Sequence, residues 1–230
     1  MLDILYIDDY LAVVHKPAGW LVHRTPLDKG ETRFVLQALR QQIGRPVWPL
    51  HRLDKGTSGV LAFALDAETA RQMGQRFETG EGLSKHYRAI VRGWPEDVLL
   101  IDHPLKRMPD DMRHERLAIQ PAQTRLRTLR RGELPLPQGA FPSLRWAEVA
   151  LEPLTGRRHQ LRRHAKHIAH PILGDATHGK GPLNRAVAAH LGLQRLWLHA
   201  ERLQLRHPVT QAALALEAPC PPEWMLWHSV

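Results

Sequence analysis

The stretch "HRLDKGTSG", residues 51–59, places one carboxylate, Asp54, between two basic residues and follows it with small residues that favour a turn. The apolar run "GVLAFAL", residues 59–65, comes next and predicts a buried strand. Asp66 has the residue type that caps a helix, which we expect to extend to about Phe77. The segment therefore predicts a loop with one acid, a buried strand and a helix.

On spacing alone, the loop has two interpretations. In the structural one, Asp54 accepts backbone N–H bonds while Gly56 and Gly59 supply backbone freedom. In the functional one, Asp54 is a catalytic carboxylate. A protein-kinase catalytic loop is excluded, because the order here is His-Arg-Leu-Asp and neither the required Asn nor a Gly-rich phosphate loop is present.

The remaining chain alternates short strand patterns with helical ones. Strands are predicted on both sides of the Asp-Asp turn in residues 4–19, and further strands in 85–93, 123–130 and 145–153. A helix is predicted in 32–44, where Gly44 ends it. Residues 130–143 are rich in Pro and Gly and predict a loop. This order indicates an α+β fold with a mixed, mostly antiparallel sheet.

The chain is strongly basic, with 32 Lys and Arg against 23 Asp and Glu and a formal net charge of +9. Such a balance favours a polyanionic partner, nucleic acid before an anionic membrane surface. Cys220 is the single cysteine, so no intrachain disulfide is possible, which suits the cytosol. With no basic n-region of a signal peptide and no apolar run of membrane-spanning length, we expect a cytoplasmic protein that does not associate with membranes.

A second unusual segment is "LEPLTGRRHQLRRHAKHIAHPILGD", residues 151–175. Helical spacing predicts a helix that begins near Arg157. Leu161, Ala165 and Ile168 share one face of it, and we expect that face to be buried.

Another face of this helix aligns three cations, Arg158, Arg162 and Lys166, at intervals of four residues. On periodicity alone, a face that is simply exposed to solvent stays open as an alternative. Aligned cations repel one another, however, unless phosphates or a carboxylate such as Asp54 lie opposite them. A zinc site is disfavoured, because the histidine spacing is irregular and no cysteine or acidic ligand is near. The histidines concerned are His159, His164, His167 and His170.

Together these stretches identify a family. The segment 51–59 resembles the H-R-L-D-x-x-T-S-G signature of the RluA-type pseudouridine synthases. Five further stretches resemble that family's motifs in its order: "HKPAGWLVHR" (15–24), "KHYRAIVRG" (85–93), "TGRRHQLRRH" (155–164), "HPILGD" (170–175) and "LHAERLQLRHPVT" (198–210). The resemblance implies the pseudouridine synthase fold, a central sheet flanked by helices and loops with a catalytic cleft across it. It also implies one catalytic domain over residues 1–230, with no S4-like RNA-binding module.

The resemblance assigns the chemistry to three residues. Asp54 is the essential aspartate, which either attacks C1′ of the ribose or removes a proton from C2′. Arg162 is the cation that keeps this carboxylate ionised against the effect of burial. Tyr87 is the aromatic residue expected to stack on the target base. The reaction breaks the C1′–N1 bond and joins C1′ to C5 without a change in electrons, so no cofactor and no metal are expected.

Substrate binding is expected to require base flipping, because the reacting bond cannot be reached inside a stack. Within the resemblance, Arg52 occupies the space of the flipped nucleotide, His51 and Thr57 shape the loop, and Leu161 lines the pocket. Further basic residues are expected to contact phosphates, which set affinity but do not read sequence: Arg24, Arg125, Arg127, Arg130, Arg131, Arg158, Arg163 and Lys166.

The finer features resemble a subgroup that modifies the uridine at position 65 of tRNA. Trp20, His23, Arg24 and the pair His178-Gly179 carry this prediction. Two alternatives stay open, a ribosomal RNA pseudouridine synthase of the same family and a catalytically silent RNA-binding protein. We expect a monomer with no obligate protein partner, because no coiled-coil heptad or long apolar stripe is visible.

Overall fold

The computed structural model describes residues 1–24, 30–108 and 118–228. Its strands are β1 (Asp3–Ile7), β2 (Leu11–Lys16), β3 (Trp48–Pro49), β4 (Ser58–Ala64), β5 (Ser84–Arg92), β6 (Val98–Asp102), β7 (Leu105–Lys106), β8 (Ile119–Gln120), β9 (Gln123–Leu134), β10 (Leu144–Pro153), β11 (Leu198–Arg206) and β12 (Ala213–Glu217). Its helices are α1 (Val35–Ile43), α2 (Ala67–Thr79), α3 (Gln160–His167) and α4 (Gly181–Leu191), followed by a 3₁₀ helix over Pro222–Trp227.

The chain divides into two compact units. Unit 1 comprises Met1–Tyr87 and Leu198–Trp224, and unit 2 comprises Arg88–Trp197 and Met225–Val230. In unit 1 the strands pair in the order β1-β2-β4-β11-β12, and β3 also pairs with β4. The β4–β11 pair is parallel and the others are antiparallel.

Strands β2 and β4 are buried on both faces, which explains the unbroken apolar run of β4. Alternate residues of β4 enter opposite cores: Leu61 and Phe63 enter one, and Val60 and Ala62 enter the other. Helix α1 supplies Val35 and Leu39 to the first core, and α2 supplies Met73 to the second. Unit 1 is therefore a sheet covered by one helix on each face.

Unit 2 is built around the antiparallel strands β10-β9-β6, with β7 and β8 as a separate pair. Three tryptophans anchor its core: Trp227 lies edge-on to Trp146 and Trp197, with ring centroids 5.1 and 5.3 Å apart. A Cβ at Gly132 would lie 2.4 Å from the Trp146 ring, so this position of β9 accepts only glycine. Aromatic burial of this size dominates the packing of a small core.

The α+β class and the mixed, mostly antiparallel pairing are confirmed. The paired strands at the N-terminus, β4, β5, β10 and helix α2 also lie where the sequence predicts them. Helix α1 begins at Val35 rather than at Thr32, because the residues before it are held extended by backbone bonds to Leu21. Gly44 ends the helix in a left-handed conformation, as expected.

Two further expectations are wrong. The loop predicted over 130–143 begins only at Pro135, because β9 continues to Leu134, pairing Gly132 with Trp146 of β10. The helix predicted from Arg157 begins at Gln160. Arg158 therefore lies outside α3, and the predicted row of Arg158, Arg162 and Lys166 along one helical face does not exist.

The patterns also left several elements unpredicted, namely α4, β12, the short strands β3, β6, β7 and β8, and the 3₁₀ helix. None of the helices in the described parts of the chain is long and apolar enough to cross a membrane.

Candidate active site

The loop that carries Asp54 lies in unit 1, directly before β4. The backbone carbonyl of Asp54 accepts a hydrogen bond from the N–H of Thr57 at 3.0 Å, which closes a turn. Leu53 is buried in the first core of unit 1, whereas the neighbouring Asp54 is half-buried. The turn thus anchors the loop through Leu53 and leaves the carboxylate partly accessible.

The glycine that ends the motif is required by a close approach of two strands. Gly59 of β4 pairs with Ala200 of the parallel strand β11 and has a φ of 119°. A Cβ at this position would lie 2.1 Å from the carbonyl oxygen of Ala200. Any side chain would push β11 away from the base of the loop, so this glycine serves packing and not only flexibility.

The buried side chain of Lys16 stabilises the loop that carries Asp54. Lys16 at the end of β2 is fully buried, and its Nζ donates to the carbonyl oxygens of Pro17, Trp20 and Lys55 at 2.9, 2.7 and 3.2 Å. Because Lys55 follows Asp54 directly, this ammonium connects the loop that carries Asp54 to β2. A buried ammonium is tolerated only with such partners. The sequence interpretation treated Lys16 merely as a strand end, although a lysine after an apolar strand and before proline was a usable signal.

His51 is held as a neutral acceptor. The N–H of Ala62 donates to its Nε2 at 3.2 Å, and its ring stacks on Phe77 at 4.9 Å between centroids. Burial, with a smaller contribution from the charge of Lys85, lowers the pKa of His51 to about 3. These contacts support the expectation that His51 orders the loop. Thr57 is only 2% exposed, and the assignment of both residues to substrate binding stays a prediction.

Tyr87, at the boundary of unit 1, lies near the carboxylate. Its side chain packs against the first core of unit 1 and is partly exposed. Burial first, and the negative charge of Asp54 second, raise the pKa of Tyr87 well above its usual value. The phenol therefore stays protonated at neutral pH, and the structure brings together two of the three residues assigned to the chemistry.

The third, Arg162, lies on α3 in unit 2 and is 8% exposed. Its Nε and Nη2 donate to the two carboxylate oxygens of Asp175 at 2.8 and 2.7 Å, a two-pronged pair. Burial alone would raise the pKa of Asp175, but the bonds from Arg162 and from the N–H groups of His178 and Thr177 hold it below its usual value.

Asp175 is the residue that the sequence interpretation missed. It was quoted only as the last letter of "HPILGD", and Arg162 was expected to face Asp54 or phosphate. The signal was available, because Asp175 is the single acid between Leu154 and Arg195. The pairing of Arg162 with Asp54 stays a prediction.

The start of α3 is fixed by the side chain of Gln160. Its carbonyl oxygen accepts from the Arg157 N–H at 3.0 Å and the Thr155 hydroxyl at 2.7 Å, and its amide donates to Gln123 and Thr124 on β9. This network sets the position of Arg162 two residues later.

The other predicted contacts differ in exposure. Arg52, Arg24 and Lys166 are exposed, Arg158 is intermediate and Leu161 is 7% exposed. Several of the basic residues expected to bind phosphates also have partners within their own unit: Arg24 lies over the Phe34 ring, Arg125 pairs with Glu152, Arg130 lies over Trp146 and Arg131 pairs with Asp97.

In unit 1 the chemistry available is that of a partly accessible carboxylate and a neutral phenol, and in unit 2 it is that of a guanidinium held by Asp175. In the residues that the structure describes, no group of three or more His, Cys, Asp or Glu side chains is arranged to hold a metal ion. A carboxylate beside an aromatic ring suits attack on, or proton removal from, a sugar whose base stacks on the ring.

Comparison with known proteins gives consistent matches. The family described as RNA pseudouridylate synthase matches residues 10–167. The chain is 48% identical to the tRNA pseudouridine synthase C of Vibrio cholerae over 97% of this chain and 93% of that protein, and 47% identical to that of Salmonella typhimurium over 98% and 88%. Among solved structures, Human RNA Pseudouridylate Synthase Domain Containing 1 has a TM-score of 0.73 at 27% identity, covering 96% of this chain and 84% of that one.

Proposed function

Because this chain belongs to the RNA pseudouridylate synthase family, we propose that it converts the uridine at position 65 of tRNA to pseudouridine. The chain is an RNA pseudouridine synthase, and relatives that are 44–48% identical over nearly its whole length are named tRNA pseudouridine synthase C. The tRNA substrate is supported by those relatives, and the position rests on the subgroup features around Trp20 and His178.

We assign the central role to Asp54. The observation that carries this assignment is its setting: the carboxylate is partly accessible, its neighbour Lys55 is bonded to the buried Lys16, and its charge acts on Tyr87. Asp54 either attacks C1′ or removes a proton from C2′ while the base leaves. The freed base turns and C1′ joins C5, which breaks the bond to Asp54 in the first route or returns the proton to C2′ in the second. C5 then loses its proton and N1 gains one, so the product is an isomer of uridine and no cofactor is needed.

The other residues bind and orient. Tyr87 stacks its ring on the target base, and Leu161 lines the pocket. Arg52, which is exposed beside the catalytic turn, takes the space of the flipped nucleotide. Arg162, whose guanidinium Asp175 holds in one orientation, is the partner that the family resemblance assigns to the carboxylate of Asp54.

The test is pseudouridine mapping on total RNA from cells that lack the gene. Complementation uses the wild type, Asp54→Asn, and Asp9→Asn as a matched control, since Asp9 is an exposed carboxylate in the turn between β1 and β2. We expect one tRNA mark to disappear, and to return with the wild type and Asp9→Asn but not with Asp54→Asn.

Other outcomes are informative. Loss of a ribosomal RNA mark would keep the reaction and overturn the tRNA assignment. Restoration of the mark by Asp54→Asn would overturn the role of Asp54. With purified protein, Asp54→Asn should still bind tRNA while product formation falls below detection.

We also propose that the protein acts in the cytoplasm as a monomer. Light scattering over a range of protein concentrations tests the second part, and a dimer that persists on dilution would contradict it.

A further inference from the structure

The segment from Leu154 to Arg195 has an unusual charge balance. It contains eight lysines and arginines but only one acid, Asp175. That acid is fully buried and paired with Arg162, so it neutralises nothing on the surface. Elsewhere surface cations commonly have acidic neighbours, as Arg71 has Glu68 on α2 and Arg202 has Glu217 on β11 and β12.

Three cations of this segment are exposed: Lys166 on α3, Lys180 at the start of α4 and Arg185 on its first turns. Within residues 1–24, 30–108 and 118–228, none of the three has a carboxylate within ion-pair distance. No acid of the described residues neutralises their charges, which can therefore face an anionic partner.

The loop around Asp175 connects α3 with α4, the two helices that these cations lie on or beside. The Asn184 side chain of α4 donates to the Asp175 carbonyl at 2.8 Å and accepts from the Gly174 N–H at 3.0 Å. Since the Asp175 carboxylate binds Arg162 of α3, both helices are attached to the same residue.

The positive charges of Arg162, His159 and Lys166 act on His178. Burial lowers its pKa, the Asp175 charge opposes this, and the positive charges of Arg162, His159 and Lys166 lower it further. Lys166 therefore acts on a residue that lies only two positions before Lys180. Like charges repel one another, and an anion that faces them removes this repulsion.

We propose that Lys166, Lys180 and Arg185, here called the α3–α4 basic surface, bind consecutive phosphates of the RNA substrate. This inference rests on the proposed function, because it takes RNA to be the polyanion. Long, flexible lysine and arginine side chains suit contact with the RNA backbone and not base reading. The surface should therefore raise affinity without selecting sequence.

The experiment measures binding of an unmodified tRNA transcript between low and high KCl. The test variant is Lys166→Gln/Lys180→Gln/Arg185→Gln. The matched control is Arg71→Gln/Arg76→Gln/Arg202→Gln, which removes the same charge from two exposed arginines and the half-buried Arg76, all of which have partners within unit 1. Each lost phosphate contact should reduce the slope of log affinity against log salt by about 0.7–0.9, so the test variant should lose about 2–3 in slope.

The control variant should keep the slope and the pseudouridylation rate of the wild type. A test variant with an unchanged slope, or a control with the same loss, would overturn the proposal. Binding of the wild type to anionic phospholipid vesicles that exceeds binding to tRNA, and is lost in the test variant, would assign the surface to a membrane instead. Failure of the proposed function is recognised separately, as wild-type protein that forms no pseudouridine on tRNA.

Discussion

Helices α2 and α3 are stabilised in opposite ways. Helix α2 carries its contacts in its own sequence: the Asp66 carboxylate accepts from the Thr69 N–H at 2.8 Å, Glu68 pairs with Arg71 one turn on, and Gly80 ends the helix in a left-handed conformation. These contacts span at most four residues of chain.

Helix α3 has almost none of these features. Its N-terminal cap is His159, which has a φ of 54° and no capping side-chain bond, and its first turn has no acid. A non-glycine residue in this region is strained. The helix is held instead by Asp175, 13 residues later, and by Gln123 and Thr124, more than 30 residues earlier. The helix that carries Arg162 and Lys166 thus breaks the local rules and depends on tertiary contacts.

The strongest test of this contrast replaces one carboxylate that holds each helix, Asp175 for α3 and Asp66 for α2. Asp175→Asn leaves Arg162 buried without its charge partner and should lower the free energy of unfolding by about 3–5 kcal/mol. Asp66→Asn should change it little, because Asn caps helices about as well as Asp. Urea denaturation of both variants measures the difference, and equal effects would contradict the contrast.

Acidification should erase the Asp175 effect. The pKa of Asp175 is lowered in the folded protein. Its contribution to the free energy of unfolding is therefore complete above the unfolded carboxyl pKa of about 3.9, and it is lost as the pH falls through the pKa of the folded state. The stability gap between the wild type and Asp175→Asn should therefore be constant from neutral pH to about pH 5 and shrink below about pH 4. Denaturation curves at several pH values measure this, and a gap that widens in acid would refute the pairing.

Gln160→Ala should lower the free energy of unfolding less than loss of the Arg162–Asp175 ion pair does. The 4% exposed Gln160 side chain makes bonds with four other residues, and leaving buried partners unsatisfied costs about 1–3 kcal/mol. The control is Gln72→Ala on α2, where an exposed amide bonds only to Glu68. Unfolding midpoints compare the two variants, and a larger loss in the control would reverse the interpretation.

The smallest effect is expected from the local cap of α2. Asp66→Ala removes the bond to the Thr69 N–H and should cost about 1 kcal/mol, while Asp66→Ser should restore most of it. Thermal unfolding followed by circular dichroism is the measurement. A loss as large as that of Asp175→Asn would show that α2 also depends on distant contacts.

The same contrast explains which predictions succeed. The start of α2 was predicted at the correct residue and its end two residues early, because cap, apolar face and stop are all local signals. The start of α3 was placed three residues too early, since β9 and the Asp175 loop decide it. In the same way, β9 passes through a stretch that looks like a loop, because Gly132 lies under Trp146.

The residues of the candidate site show the same difference between local signals and distant contacts. The loop acid Asp54 and the aromatic Tyr87 were recognised in the sequence, and the structure places them near each other in unit 1. Lys16, which holds the loop, and Asp175, which holds Arg162, were not recognised. Both act through pairing with groups that are distant in the chain.

The sequence by itself determined the family, the α+β class, the acidic loop and the basic character that favours RNA. These depend on motifs and periodicities within a few turns of chain, where residue type and spacing are sufficient. Only the tertiary structure decided how the buried charges are paired, Arg162 with Asp175 and Lys16 with three carbonyl groups. Pairing requires atoms to lie about 3 Å apart, and for residues separated by many positions that distance is set by packing and not by sequence spacing.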